Sequence, residues 1–227
     1  MSYRIMKMRT FSLYIVLLAL ATSACALTSK AGLVDIRYFS PERLEPRRDE
    51  AVPHSEPSTS DLARRLEVRL GRVSSGSNLR ERIAYRDNDF EFGYYEDLRW
   101  TERPETYVRR ELGRSLFEHH GLHRAVGGAA PTLDVEVIAF DDLRLRTGRA
   151  ARVQLRGILY GDSDLFFEDT FTVDRPVAGD SPRIEDVVAA MATALDVAAE
   201  NVARRVQSAL EVNRPTAPTA PPADFTH

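Results

Sequence analysis

Three segments of alternating apolar and polar residues decide the fold: LDVEV at 133–137, RVQLR at 152–156 and LFFEDTFTV at 165–173. Alternation of this period is typical of a strand that buries one face. The segments are separated by Thr147-Gly148 and Gly161-Asp162, which are residue pairs typical of turns. We therefore expect three consecutive strands joined as hairpins.

A helix is predicted on the N-terminal side of these strands. Pro104 suits the first turn of a helix, where its missing N–H needs no partner. Apolar residues then recur every four positions and form one face, namely Val108, Leu112 and Leu116. Gly121 is a typical C-terminal cap, so this helix is expected to cover about 104–120.

A second, longer helix is predicted after the three strands. Ser181 is a suitable N-cap and Pro182 a suitable first residue, and the helical pattern continues to about Leu210. Its apolar stripe follows alternating spacings of three and four: Ile184, Val188, Met191, Leu195, Ala198, Val202 and Val206. The proline-rich residues 215–222 cannot continue it, and we expect the end of the chain to be disordered.

Further strands are predicted before the first helix. Residues 33–39 form a candidate first strand, residues 66–70 alternate as a half-buried strand, and residues 83–95 read as a hairpin around Asp87-Asn88-Asp89. Runs of adjacent strands favour antiparallel pairing, and two amphipathic helices favour cover on one face. The predicted fold class is α+β, a two-layer sandwich of a mainly antiparallel sheet with two helices on one face.

Aromatic side chains are concentrated between residues 85 and 100. Alternation along the second arm of the hairpin places three of them in the core, Phe90, Phe92 and Tyr94. We expect Tyr95 and Trp100 to be exposed, and exposed aromatic residues favour protein interfaces.

The N-terminus has the basic, apolar, small-residue order of a secretory signal. The apolar run 11–21 is about half the roughly 20 residues of a membrane-spanning helix. Thr22-Ser23-Ala24 precedes Cys25, the only cysteine of the chain. This pattern predicts a lipoprotein that is acylated at Cys25 and cut just before it. The alternative is an ordinary secretory cut after Ala26, which would discard the cysteine.

Acyl chains such as palmitate on Cys25 would hold the protein in a membrane. Ala26, rather than aspartate, at the following position implies the outer membrane, on the inner leaflet facing the periplasm, where sorting follows the enterobacterial rule. The expected organisation has four parts: a signal peptide (1–24), a lipidated tether with the candidate first strand and a long loop (25–60), an α+β domain (61–211) and a Pro/Ala-rich tail (212–227).

Composition and motifs argue against an enzyme or a nucleic-acid-binding protein. The net charge of −3 provides no large positive field for nucleic acid. The chain has neither a G-x-S-x-G nucleophile elbow nor a phosphate-binding Walker pattern. The acidic pairs Asp141-Asp142 and Glu168-Asp169 lie in strands, where we expect one member of each to face solvent. We therefore predict no catalytic residues and no cofactor.

Three histidines near the end of the first helix raise the hypothesis of a metal site: His119, His120 and His123. Gly121 should end the helix between them, which spoils a one-face ligand geometry, and no cysteine is nearby. A solvated helix end is the preferred interpretation, and no metal is expected.

From Leu66 to about Leu210 the chain resembles the ABC-type transport auxiliary lipoprotein family, which includes the paraquat-inducible protein C type lipoproteins. The resemblance rests on LEVRLGRV (66–73), ERIAYR (81–86) and, most sharply, FGYYEDLRWTERP (92–104). In this last segment the family's aromatic-Trp-acid-Pro pattern is matched by Tyr94, Tyr95, Arg99, Trp100, Glu102 and Pro104. The family often has a second proline where this chain has Arg103.

The resemblance implies a non-catalytic partner of a lipid transporter. Such systems pair an ABC permease and ATPase with an MCE-domain (mammalian-cell-entry-type) periplasmic protein, which the lipoprotein docks at the outer membrane. The resemblance also makes the lipoprotein a candidate homo-oligomer. The candidate partner interface comprises Tyr94, Tyr95, Arg99, Trp100 and Pro104. Two alternatives stay open: an envelope lipoprotein that activates a cell-wall synthase or assists assembly of an outer-membrane complex, and, third, an exported hydrolase.

Overall fold

The computed structural model describes residues 34–42, 66–146, 148–179 and 182–213. Its strands are β1 Arg37–Phe39, β2 Glu67–Ser75, β3 Arg82–Arg86, β4 Phe92–Trp100, β5 His123–Arg124, β6 Thr132–Leu145, β7 Gly148–Tyr160 and β8 Leu165–Pro176, and its helices are α1 Pro104–Arg114 and α2 Ile184–Val212. Contacts divide the chain into residues 1–35, of which only Val34 and Asp35 are described, and the unit 36–227. The fold described below is that of the second unit.

The central strand of the sheet is β6. Along one edge it pairs antiparallel with β7 over its whole length, and β7 pairs antiparallel with β8. Along its other edge β6 runs parallel to β2 in its first half and parallel to β3 in its second. The sheet continues from β3 through the antiparallel β4 to the parallel β1, while β5 pairs with β2.

The sheet is mixed because two kinds of connection join its strands. Short turns join β3 to β4, β6 to β7 and β7 to β8, and each of these pairs is antiparallel. The connection from β3 to β6 instead contains β4 and α1. This connection is long enough to return the chain to the sheet in the parallel direction. The expectation of antiparallel pairing therefore holds for the hairpins and is wrong for β2 and β3 against β6.

Both helices cover one face of the sheet, which we call the inner face; the opposite face is the outer face. Helix α2 packs on β7 and β8, α1 packs on β2, and both helices contact β6 and each other. Alternate residues of β7 are buried against them, namely Ala151, Val153, Leu155 and Leu159. The face of α2 that packs on the sheet carries small and medium side chains, which allow the helix to approach the strands closely. They include Ala194, Ala198, Val202 and Val206.

These elements confirm the α+β sandwich with two helices on one face. Helix α1 begins at Pro104 as expected, and a π-helical turn, Ser115–His119, extends it. Gly121 follows with a φ of 62°, the left-handed conformation that lets glycine end a helix. Helix α2 also has the expected acidic first turn, Glu185 and Asp186.

Two boundaries differ from the sequence-based expectation. Strand β2 continues to Ser75, because Ser74 and Ser75 pair with β6 after a bulge between Leu70 and Val73 that contains Gly71. Helix α2 begins at Ile184 with Arg183 as its N-cap, whose N–H donates to the carboxylate of Asp186 at 2.9 Å. The expected cap, Ser181, lies outside the described residues, as do the signal peptide, residues 43–60 of the expected long loop and the tail from residue 214.

Candidate partner interface

Trp100, the centre of the aromatic-Trp-acid-Pro segment, is a core residue with 1% of its surface exposed. Its ring packs edge to face on Phe140, with 5.3 Å between ring centroids, and on Tyr107, with 6.4 Å. The expectation that Trp100 is exposed is wrong, because the bulge between Arg82 and Ala84 shifts the register of β4 and turns its end toward the helices. This side chain cannot itself contact a partner.

The residues after Trp100 form the joint between β4 and α1. The hydroxyls of Thr101 and Tyr107 share a hydrogen bond of 2.7 Å, and the backbone N–H of Glu102 donates to the Tyr107 hydroxyl at 2.9 Å. Pro104 is buried at the start of the helix. Within this joint Trp100, Tyr107 and Pro104 fix the angle between strand and helix. The segment that carries the family resemblance is therefore largely an architectural one.

Tyr95, which we expected to be exposed, is half-buried in a polar cluster on the inner face whose centre is the fully buried Asp142. Its hydroxyl donates to Asp142 Oδ2 at 2.6 Å and accepts a hydrogen bond from Arg149 Nη2 at 2.8 Å. The Arg149 guanidinium also donates two hydrogen bonds to the Asp142 carboxylate, with Nη2–Oδ2 at 2.6 Å and Nε–Oδ1 at 2.9 Å. The third guanidinium nitrogen of Arg149, Nη1, donates to the carbonyl of Pro182 at 2.7 Å and so ties this end of the sheet to the start of α2.

Stacked aromatic and guanidinium groups extend this cluster toward the β3–β4 turn. The Tyr85 and Tyr95 rings pack edge to face at 5.1 Å, and the Arg144 guanidinium lies 3.4 Å from the Tyr85 ring centroid. Gly93 pairs with Tyr85 and leaves room for that ring, because a Cβ on Gly93 would lie 2.5 Å from it. The glycine in FGYY is therefore required by the close approach of Tyr85.

Of the five candidate interface residues, Tyr94 and Arg99 are partly exposed and lie on or near the outer face. Tyr94 is on the outer face, in one row across the sheet with Ala84 of β3, Asp141 of β6 and Arg152 of β7. The Tyr94 hydroxyl donates to the carbonyl of Asn78 at 2.7 Å. Arg99 donates to three carbonyls of its own strand, those of Tyr95, Glu96 and Leu98. The structure thus separates the five candidates between the core and the two faces of the sheet.

Asp141 and Asp142 are both fully buried, which contradicts the expectation that one of them faces solvent. They occupy opposite faces of β6, and each has its own arginine: Arg86 Nε lies 2.7 Å from Asp141 Oδ2, and Arg149 binds Asp142. Burial raises the pKa of Asp141, although the hydrogen bond and charge of Arg86 oppose that change. Sequence alternation could not reveal these arginines, since both partners come from other strands.

Glu168 and Asp169 fit the expected solvated face more closely. Glu168 is exposed and pairs with Arg156 of the neighbouring strand, while Asp169 Oδ2 lies 2.7 Å from Arg205 Nε of α2. These are surface ion pairs with no nucleophile or base directed at a shared point.

The tip of the β3–β4 hairpin exposes a large aromatic side chain that sequence reasoning placed in the core. Phe90 is 97% exposed, because the turn extends beyond Asp87-Asn88-Asp89 and β4 begins only at Phe92. The Asn88 side-chain oxygen accepts the backbone N–H groups of Phe90 and Glu91, each at 2.9 Å. The asparagine in the turn was the sequence signal that could have revealed this longer tip.

His120 and His123, two of the three histidines, are directed to different partners. His120 bridges the two helices, with Nδ1 2.7 Å from Gln207 Oε1 and Nε2 2.9 Å from Glu200 Oε1. His123 Nδ1 lies 3.5 Å from Glu67 Oε1 on β2. In the ranges that the structure describes, no three histidine, cysteine or acidic residues are arranged to hold a metal ion.

The Tyr95 cluster should make stability depend on alkaline pH. Burial, followed by the hydrogen bond to Asp142, raises the pKa of Tyr95 to about 12, above the ordinary value of about 10. The folded protein holds this proton more tightly than the unfolded chain, so its contribution is complete below pH 10 and is lost as the pH rises through 12. Urea unfolding between pH 8 and the alkaline limit should show this loss in the wild type and not in Tyr95→Phe. Parallel pH profiles for the two proteins would contradict the assignment.

The predicted lipidation site, Cys25, lies outside the described residues. Among the helices that are described, none is long and apolar enough to cross a membrane.

Comparison with known proteins identifies the family. A protein from Xanthomonas campestris has the same fold at a TM-score of 0.53 and 24% identity, over 63% of this chain and 86% of that one. An uncharacterized protein has a TM-score of 0.52 at 20% identity, over 63% of this chain and 92% of its own. No curated protein matches. The model of the ABC-type transport auxiliary lipoprotein components matches residues 49–203, and the chain therefore belongs to that family.

Proposed function

We propose that this chain is the lipid-anchored, non-catalytic component that docks an ABC transporter and its MCE-domain periplasmic protein at the outer membrane. The observation that carries the proposal is the match of residues 49–203 to a family of transport auxiliary components. In this account Cys25 holds the protein in the inner leaflet, and the α+β domain faces the periplasm. Tyr94 and Arg99 are the candidate interface residues that a partner could reach.

A docking role agrees with the way in which the buried polar groups of the described residues hold the domain rigid. The buried carboxylates of Asp141 and Asp142 are each held by an arginine, and the Tyr95 hydroxyl has both a donor and an acceptor. These groups fix the sheet, the hairpin and α2 relative to one another. A rigid scaffold of this kind presents a surface to a partner with little loss of conformational entropy on binding.

The lipid anchor gives a direct prediction. Cys25→Ala should move the protein from the membrane pellet to the soluble fraction, because the acyl chains supply the proposed attachment. The matched variant Ala26→Asp keeps the cysteine and should stay membrane-bound, shifting from the outer to the inner membrane where the enterobacterial rule applies. Fractionation after a high-salt wash measures both. Retention of Cys25→Ala in the washed membranes would contradict the anchor.

The transport role is tested by genetic interaction with the transporter. Deleting the gene for this chain and deleting the permease gene should give the same envelope-permeability defect, and the double deletion should be no worse than either. Wild-type protein should restore the barrier to the single deletion, and Cys25→Ala should not. Additive defects in the double deletion would show that the two proteins act in separate processes and would contradict the proposal.

A further inference from the structure

We propose that the β3–β4 tip, Asp87–Glu91, is a docking knob: Phe90 enters an apolar socket with a positively charged rim on the periplasmic transporter component. This inference rests on the proposed function for the identity of the partner. The geometry of the knob itself is independent of it. Phe90, in the turn between β3 and β4, is 97% exposed and so presents nearly its whole ring to solvent.

The knob is ordered by hydrogen bonds within the turn. Asn88 Oδ1 accepts the N–H groups of Phe90 and Glu91 at 2.9 Å, and Asn88 Nδ2 donates to Glu91 Oε2 at 3.1 Å. The backbone that carries Phe90 is therefore fixed by a side chain of the turn itself. An aromatic side chain presented in this way loses little conformational freedom on binding.

The base of the knob is clamped to the sheet. Arg144 of β6 binds both oxygens of Asp87, with Nε–Oδ1 at 2.7 Å and Nη2–Oδ2 at 2.8 Å, and stacks on Tyr85. On the other face, Arg86 pairs with the buried Asp141 and lies 4.9 Å from the Phe92 ring centroid. Both strands of the hairpin are thus held beside the tip, so its position relative to the domain is fixed.

The surroundings of Phe90 indicate the chemistry of the partner. Asp89 and Glu91 flank it and are exposed, and in the described part of the chain neither has an ion-pair partner within 4 Å. Beside the tip an outer-face pocket of about 250 Å³ is lined by Asn88, Asp89, Ile138 and Leu145. Arg86 and Arg152 also line it, and their charges are paired with Asp141 and Asp174. An exposed aromatic ring between two exposed carboxylates is complementary to a protein surface with an apolar socket and a basic rim.

A membrane surface fits this knob less well than a protein does. Membrane-binding segments pair apolar side chains with lysine and arginine, which are attracted to anionic headgroups. The side chains that flank Phe90 are acidic, so an anionic bilayer would repel the tip. Binding to vesicles is therefore an outcome that would count against the proposal.

Phe90 offers a clean variant because its ring makes almost no contact within the fold. Phe90→Ala should leave the melting temperature unchanged. Val126, 93% exposed in another loop, provides a matched control in which an exposed apolar side chain is shortened far along the chain from the tip. A second variant, Asp89→Lys with Glu91→Lys, tests the charge of the rim without touching the ring.

The experiment is a detergent pull-down of the tagged full-length lipoprotein from its native envelope, with the MCE-domain protein quantified by mass spectrometry. We expect Phe90→Ala to reduce its recovery about tenfold, the loss of one interface hot spot. The lysine pair should reduce it further, and Val126→Ala should match the wild type.

The outcomes separate the two proposals. If wild-type bait recovers no transporter component, the proposed function fails and this inference fails with it. If wild-type and Phe90→Ala baits recover it equally, the function stands and the docking knob is overturned. Binding of the wild type to vesicles of about 30% anionic lipid, lost in Phe90→Ala while transporter recovery is unchanged, would assign the knob to the membrane and also overturn the proposal.

Discussion

Replacing Trp100 by alanine should lower the free energy of unfolding by about 3–5 kcal/mol, the range for removing a large aromatic side chain from a core. The Trp100 ring is enclosed by Phe140 of β6 and Tyr107 of α1, and 1% of the residue is exposed. Its removal leaves a cavity where β4, α1 and the central strand meet. Because this joint sets the position of α1 on the sheet, the structure cannot easily collapse to fill the space.

Urea unfolding of the mature domain, followed by far-UV circular dichroism, measures this effect. Trp100→Phe is the control, since it keeps an aromatic ring against Phe140 and should cost clearly less than Trp100→Ala. A loss of transport in Trp100→Ala cells should be accompanied by a lower amount of folded protein. If the unfolding free energy of Trp100→Ala lies within about 0.5 kcal/mol of the wild-type value, Trp100 does not stabilise the core as we describe.

Asp142→Ala should also cost about 3–5 kcal/mol, the effect of breaking a buried ion pair by removing one partner. The Asp142 side chain is fully buried, and that of Arg149 is 20% exposed. The substitution leaves the Arg149 guanidinium and the Tyr95 hydroxyl without the carboxylate that both of them bind. The tie from Arg149 to Pro182 should weaken as well, which loosens the start of α2.

Asp174→Ala is a matched control for burial. Asp174 also receives two hydrogen bonds from an arginine of the adjacent strand, with Arg152 Nε–Oδ1 and Nη2–Oδ2 both at 2.7 Å. Its side chain is 41% exposed and that of Arg152 is 33% exposed, so the loss should be at most about 1 kcal/mol. Equal losses for Asp142→Ala and Asp174→Ala, measured by the same urea titration, would show that burial of the first pair does not decide its contribution.

Much of the architecture was predictable because it follows from local patterns. The alternation in 133–137 and 152–156, the spacing of Val108, Leu112 and Leu116, and Gly121 depend on residues close in the chain, and the corresponding elements are present. The parallel pairing of β2 with β6 was not predictable in this way. It depends on how a connection of more than fifty residues returns to the sheet, which alternation does not encode.

The candidate interface was harder to predict because exposure depends on register and on distant partners. Trp100 was expected to be exposed, but a bulge turns it into the core. Phe90 was expected in the core, but a longer turn leaves it exposed to solvent. Asp141 and Asp142 look like a solvated pair until Arg86 and Arg149 are brought beside them by other strands. In each case the deciding contact lies outside the sequence window that supplied the pattern.

The proposed role beside a lipid transporter is tested most directly by the proteins that this chain binds. The measurement is a detergent pull-down of the tagged wild-type lipoprotein from its native envelope, with mass spectrometry of the recovered proteins and the Cys25→Ala form as a control for membrane attachment. We predict recovery of an MCE-domain protein together with the ABC permease, reduced in the control. Recovery of a cell-wall synthase or an outer-membrane assembly complex, with no transporter component, would contradict the account.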